Sequence, residues 1–163
     1  MSDLPQANPL RLKILFATSE ALPLIKTGGL ADVAGSLPRA ILNQRQDIRL
    51  VVPAYRSVLQ QTENLHLAAH LEPDGASEPV RILSGRLPGS NVRLYLVDSP
   101  AHFDRAGNPY TRADGTEWPD NAERFTVFCR AIHAIATNAG GLDWQPDIVH
   151  CNDWQTGLVP AML

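Results

Sequence analysis

A lysine and two glycines stand between an apolar run and a helical pattern in the segment Ser19 to Asp32, SEALPLIKTGGLAD. Gly28 and Gly29 have no Cβ, so their backbone can approach a ligand closely and offer N–H groups ahead of the helix's positive end. Lys26 adds a full positive charge beside them. A diphosphate is the anion that such a set suits best. A Walker A loop places its lysine after the glycines, whereas Lys26 precedes Gly28, and no G-x-G-x-x-G fingerprint is present. The residues alone leave two readings open: an anion seat, or a tight strand-to-helix connection with Lys26 as a solvated charge.

Two further sets fall just after strand-like segments. Phe103 to Tyr110 follow the run Val92 to Val97, and Asn152 with Asp153 follows Asp147 to Cys151. In a doubly wound sheet, ligands bind beyond the carboxyl ends of the strands, so residues distant in sequence converge there. Each member also has a plain structural reading. His150 can be a satisfied core histidine, Trp154 a core aromatic, and Asp120 a helix cap.

Other chemistries fail on spacing. His66 and His70 are four apart but lack a third ligand, so no metal is assigned. Asp98, Asp104, Asp114, Glu117 and Asp120 do not follow the D-x-[DN]-x-[DN]-G calcium pattern. His150 and Cys151 are neighbours on a strand, point to opposite faces and cannot exchange a proton directly. No cofactor is implied.

The elements that must position these residues follow from periodicity. Leu12 to Thr18 is a nearly continuous apolar run, the pattern of a strand covered on both faces. Leu30, Val33, Ala34, Leu37 and Ile41 recur at helical spacing, with Pro38 expected to bend that helix before its end near Asn43. Ile48 to Val52 is a second buried strand stopped by Pro53, completing a right-handed strand-helix-strand unit. Val80 to Leu83 and Val92 to Val97 read as further strands of open pairing, and the segment from Ala101 to Asp120 reads as a binding loop. Asp120 with Glu123 predicts a capping box for a helix whose core face is Phe125, Phe128, Cys129, Ile132 and Ala136, ending by Gly140 and Gly141. Asp147 to Cys151 is a last strand, and a final helix starts around Thr156. Met1 to Leu10 reads as a mobile leader.

Composition narrows the class. With 163 residues, 44% of them hydrophobic, the chain can build one domain-sized core. A net charge of −3, with 14 Lys and Arg scattered along the chain, gives no basic footprint for nucleic acid. No apolar run approaches the roughly 20 residues of a membrane span, so a cytoplasmic, membrane-free protein is expected. Cys129 and Cys151 form neither a disulfide framework nor a zinc pattern.

The wording of several segments is specific. KTGGLADVAGSLPRA, with the preceding SEALPLI, closely resembles the N-terminal signature of bacterial glycogen synthases and plant starch synthases. SPAHFDRAGNPY, PDNAERF and PDIVHCNDWQTGLVPAML resemble later segments of that family. The resemblance implies an α/β fold, a Rossmann-like and mostly parallel sheet flanked by helices, as the N-terminal half of a GT-B type glycosyltransferase. It implies residues 11–163 as the acceptor-side domain, with the C-terminal nucleotide-binding domain, its basic pair and its acidic residue absent from these residues. The implied activity is retaining transfer of glucose from ADP-glucose, or less often UDP-glucose, to the non-reducing end of an α-1,4-glucan. The alternative is a non-catalytic glucan-binding or regulatory fragment with the same half-fold.

By this likeness Asp120 and Asn152 are the catalytic candidates. Lys26, Gly28, Gly29, Asp32, Tyr110, Asn121, His150 and Asp153 are the substrate-binding ones. The family's His-x-His-Asp-Trp-His becomes His150-Cys151-Asn152-Asp153-Trp154-Gln155 here, so no role of a second histidine carries over. Asparagine at that place resembles the plant-type enzymes.

Overall fold

A computed structural model describes residues 10–72 and 78–163, so the leader expected over Met1 to Leu10 lies, apart from Leu10, outside the described residues. The run KILFA forms β1 (Lys13–Ala17), whose last four residues are buried, as two-sided cover requires. Helix α1 (Leu30–Asn43) follows and runs through the buried Pro38 as one element. Gly35 is where α1 needs a glycine: a Cβ there would meet the Leu22 carbonyl oxygen at 2.8 Å and the Leu22 Cβ at 2.9 Å. The loop after β1 is thereby pressed against the helix, and the Leu22 amide donates to the Ala31 carbonyl at 3.0 Å.

Strand β2 (Asp47–Pro53) pairs in parallel with β1, and the short α2 (Arg56–Gln61) follows. The middle section holds three strands: β3 (His66–Leu71), β4 (Val80–Arg86) and β5 (Arg93–Asp98). The last two match the strand-like runs, and β5 pairs in parallel with β2. β3 was not foreseen, because its alternation is blurred and it sits at the sheet edge. It places His66 and His70 on a strand with exposed side chains. A one-turn α3 (Pro100–Phe103) leads into the long loop, then come α4 (Asn121–Ala136) and β6 (Ile148–Cys151). A 3-10 turn at Trp154–Thr156 and α5 (Val159–Met162) stand where one helix was expected.

The sheet order is β3-β4-β5-β2-β1-β6, with β5, β2, β1 and β6 mutually parallel and β4 antiparallel to both β3 and β5. The chain moves outward from β1 to β2, crosses to the edge strand β3, comes back through β4 to lay β5 beside β2, and then places β6 on the other side of β1. That reversal makes a crevice beyond the carboxyl ends of β1 and β6, the place where open parallel sheets bind ligands. Phe125, Phe128, Cys129 and Ile132 of α4 are buried in the core with Leu15, Phe16, Leu50 and Leu96 from the central strands. Each fully buried side chain of this kind stabilises the fold by about 1.5–3 kcal/mol.

Candidate functional site

The loop leaving β1 carries its own counter-charges. Lys26 Nζ donates to both carboxylate oxygens of Asp32, at 2.8 and 2.7 Å. Both side chains are about half exposed, at 47% and 52%. The expectation of free amides at Gly28 is corrected. Glu20, only 3% exposed, accepts from the Thr27 amide at 2.5 Å, from Thr27 Oγ1 at 2.8 Å and, at 3.4 Å, from the Gly28 amide. Among the described residues, the backbone donors without a protein partner begin one residue later, at Gly29, Leu30 and Ala31. They belong to the first turn of α1, where the helix dipole favours an anion.

Neither glycine is demanded by backbone conformation. Gly29 has φ −69°. A Cβ on Gly29 would meet nothing within 4 Å, and one on Gly28 would meet only Glu20 Oε1 at 3.8 Å. Their use is the open space that the missing side chains leave beside the free amides.

The long loop folds over this region as a compact unit. Gly107, at φ +141°, lies where a Cβ would strike the Thr111 carbonyl at 2.4 Å, and bridges join Gly107 to Arg112 and Thr111 to Glu117. Asn108 Oδ1 accepts from the amides of Tyr110 and Thr111, each at 2.8 Å. Tyr110 thereby reaches back to the β1 exit, where its hydroxyl and Ser19 Oγ are 2.8 Å apart. Burial first, and then the charge of Glu20, raise the Tyr110 phenol above its ordinary pKa.

Arg124 holds the loop from beneath. It is 1% exposed, and donates to the carbonyls of His102 at 2.7 Å and Pro109 at 2.9 Å and to Asn121 Oδ1 at 2.7 Å. Burial lowers its pKa. Asn121 in turn donates to the Tyr110 carbonyl at 3.0 Å.

Asp120 does not form the expected capping box. Its carboxylate takes a two-pronged contact from Arg105, Nη1 to Oδ1 at 2.8 Å and Nη2 to Oδ2 at 2.6 Å. That fork supplies charge-assisted bonds stronger than those of a neutral helix amide. The hydrogen bonds from Arg105 hold the Asp120 carboxyl below its ordinary pKa. Glu123 points instead toward His102 Nε2, 3.6 Å away.

At the exit of β6, Asn152 Nδ2 donates to the Ala17 carbonyl at 2.8 Å, lacing β6 to the end of β1. His150 stacks on Phe16 at 4.6 Å between ring centroids. Asp153, at φ +64°, caps the 3-10 turn by accepting from the Trp154 amide. The expectation of a core Trp154 is corrected: it is 55% exposed, resting edge-on against Phe125 at 5.1 Å and near Tyr110 at 6.3 Å. An exposed aromatic face beside polar strand ends is the kind of surface on which a sugar ring stacks.

Comparison with known proteins now decides the family. Residues 13–163 match the family described as the starch synthase catalytic domain. The chain belongs to the starch synthase catalytic domain family. It is 55% identical over 153 residues to a glycogen synthase of Thioalkalivibrio sulfidiphilus, covering 93% of this chain and 32% of that protein. It is 57% identical over 150 residues to a glycogen synthase of Cellvibrio japonicus, covering 92% and 31%. In solved structures it is similar to the catalytic domain of starch synthase IV from Arabidopsis thaliana, bound to ADP and acarbose, with a TM-score of 0.69 and 25% identity over 92% of this chain and 29% of that one. The chain thus spans about a third of the length of the relatives it matches, and its α/β sheet is the half-fold expected of a GT-B starch synthase.

Within that family frame, the ten residues singled out from sequence fall into three loops at one end of the parallel strands. Lys26, Gly28, Gly29 and Asp32 follow β1, Tyr110, Asp120 and Asn121 follow β5, and His150, Asn152 and Asp153 end β6. The bond between Ser19 and Tyr110 joins the first two loops, and the bond from Asn152 to Ala17 joins the third to β1. Sequence reasoning missed Glu20, Arg105 and Arg124, whose partners lie 7, 15 and up to 22 residues away. An acidic residue at a strand exit inside the signature was the one available signal for Glu20. Among the described residues, no cluster of three or more His, Cys, Asp or Glu is placed to hold a metal ion, and no helix is long and apolar enough to cross a membrane.

Proposed function

We propose that this chain is the acceptor-side half of a glucan synthase that transfers glucose, with retention, from ADP-glucose or less often UDP-glucose to the non-reducing end of an α-1,4-glucan. The observation that carries the reading is the edge formed by Lys26 and the amides of Gly29 to Ala31, which have no partner among the described residues, set at the crevice between β1 and β6. Transfer requires charge stabilisation of a departing diphosphate and an acceptor hydroxyl held close to the sugar. The lysine and amides serve the first need. Tyr110, Asn121 and the exposed face of Trp154 serve sugar contacts, while Asp120, kept ionised by Arg105, and Asn152 border the sugar.

The local charge limits what the half-fold does alone. Glu20 and Asp32 outweigh Lys26, so a diphosphate arriving here needs further cations, which a second nucleotide-binding half supplies in this proposal. The purified 163-residue chain therefore binds ADP-glucose weakly and releases no ADP from ADP-glucose and glycogen. Robust turnover by the chain alone would contradict this. In a synthase that joins this domain to its second half, Lys26→Ala lowers kcat/KM for ADP-glucose by about tenfold to a hundredfold, the loss of one or two charge-assisted bonds. Unchanged kinetics would remove Lys26 from the site.

A second reading, a glucan-binding or regulatory piece, is favoured by the exposure of Trp154. Titration of the chain with maltooligosaccharide in the absence of donor separates the two: tight binding that Trp154→Ala abolishes favours the second.

A further inference from the structure

The opposite end of the sheet carries a feature unrelated to that crevice. Arg86 of β4 is in register with Arg93 of β5, and Arg93 is in register with Arg49 of β2. Register partners share a face, so three arginines stand side by side across three adjacent strands, about 4.8 Å from one strand to the next. Like charges directly opposite one another destabilise a sheet. Retaining three in a row calls for an anion among them.

Among the described residues, no carboxylate forms an ion pair within 4.0 Å with any of the three. Arg49 donates to the Tyr95 hydroxyl and stacks over Trp144 at 4.3 Å, and its Nε is buried without a hydrogen-bond partner. Arg86 donates to the Asn91 carbonyl at 3.2 Å. Among the described residues, the Arg93 side chain has neither hydrogen bond nor ion pair to protein. The three line a groove of about 470 Å³ together with Ser84, His66 and one carboxylate, Glu63. No ion pair within 4.0 Å joins Glu63 to any of them. Asp47, the next acidic group near Arg49, accepts from the Trp144 indole at 3.1 Å and attracts Arg49 without a direct ion pair. Arg93 opens β5 whereas the crevice lies beyond Asp98 at its end, so the two sites are roughly 16 Å apart along the strand.

We propose that this arginine row is a second anion site that binds a small phosphorylated metabolite, with the phosphoryl group across Arg86 and Arg93 and polar groups such as Ser84 and His66 toward the rest of the molecule. Forked guanidiniums match phosphoryl oxygens in geometry as well as charge. The groove has room for more than the phosphoryl group.

The test uses the 163-residue chain with inorganic phosphate and pyrophosphate as probes, sodium chloride at matched ionic strength as the control, and melting temperature and Trp144 emission, the latter in a Trp118→Phe/Trp154→Phe background, as readouts. The wild type is expected to bind both probes saturably, with an emission change, because Arg49 lies on the Trp144 ring. Arg86→Gln and Arg93→Gln, both at exposed positions, each weaken binding about tenfold or more. Arg93→Gln melts at or above the wild-type temperature in phosphate-free buffer, since one of three facing charges is gone. Lys26→Ala leaves the phosphate response intact. A response equalled by chloride, one that survives in the Arg86→Gln/Arg93→Gln double variant, or one lost in Lys26→Ala would overturn the proposal.

Discussion

Replacing Glu20 tests how the signature loop is held. Its buried carboxylate makes two strong bonds to Thr27, at 2.5 and 2.8 Å, and a long one to Gly28 at 3.4 Å. Hydrogen bonds to a charged group contribute about 1.5–3 kcal/mol each, and the long contact little. Glu20→Ala removes two charge-assisted bonds to Thr27, and because Thr27 and Gly28 are exposed their amides turn to water, so a loss at the low end of that range for two bonds, about 3 kcal/mol, is expected. Glu20→Gln keeps one acceptor oxygen and should lose about half of that. For a chain of this size the alanine variant then melts roughly 6–12 °C lower. Urea and thermal unfolding measure the total. Amide exchange at Thr27 and Gly28 measures the local part, and both amides should exchange faster in Glu20→Ala than in the wild type. Stability within about 0.5 kcal/mol of the wild type, or unchanged protection at both amides, would refute the assignment of Glu20 as the anchor of this loop.

Arg124→Met removes a buried cation that ties α3, the long loop and α4 together through three neutral acceptors, and should destabilise by about 3 kcal/mol or more in urea unfolding, at about 1–3 kcal/mol for each acceptor left unsatisfied. Arg124→Lys recovers little of it, because one ammonium cannot meet three separated acceptors. The Asp120 carboxyl is depressed by Arg105, so its contribution is full above the unfolded value of about 3.9 and is lost as pH falls through the lower folded value. Wild-type stability should therefore drop relative to Asp120→Asn from about pH 5 downward, read by melting temperature across pH; parallel curves would contradict it. Lys26→Ala should change stability by less than about 1 kcal/mol, since its pair with Asp32 is half exposed. A large loss would mark the lysine as structural.

What the sequence made legible was local. The strand LKILFAT and the core face of α4 need only neighbouring residues to be recognised, and each stands in the fold as expected, whereas the face expected of α1 is turned: Val33 is exposed and Ala31, Ala34, Gly35 and Pro38 are the buried residues. Convergence of three loops at one sheet end followed from the rule for parallel sheets. Polar pairing did not, because its partners are set by the fold: Ser19 meets Tyr110 across 91 residues. Asp120 has the sequence of a cap, yet a nearby guanidinium outcompetes the amides for its carboxylate. Trp154 has the composition of a core residue, yet the turn capped by Asp153 leaves it half in solvent. The arginine row is invisible until strand register is known, since Arg49, Arg86 and Arg93 are scattered along the chain and align only through β4, β5 and β2.

The central claim is that the β1 exit receives a donor diphosphate. A crystal structure of a synthase that joins this domain to its second half, soaked with ADP-glucose, tests it most directly. The account predicts the diphosphate within hydrogen-bond reach of Lys26 Nζ and the Gly29 and Leu30 amides, with Glu20 still bonded to Thr27. A donor bound with its phosphates remote from that turn, and Lys26 still closed on Asp32, would contradict it.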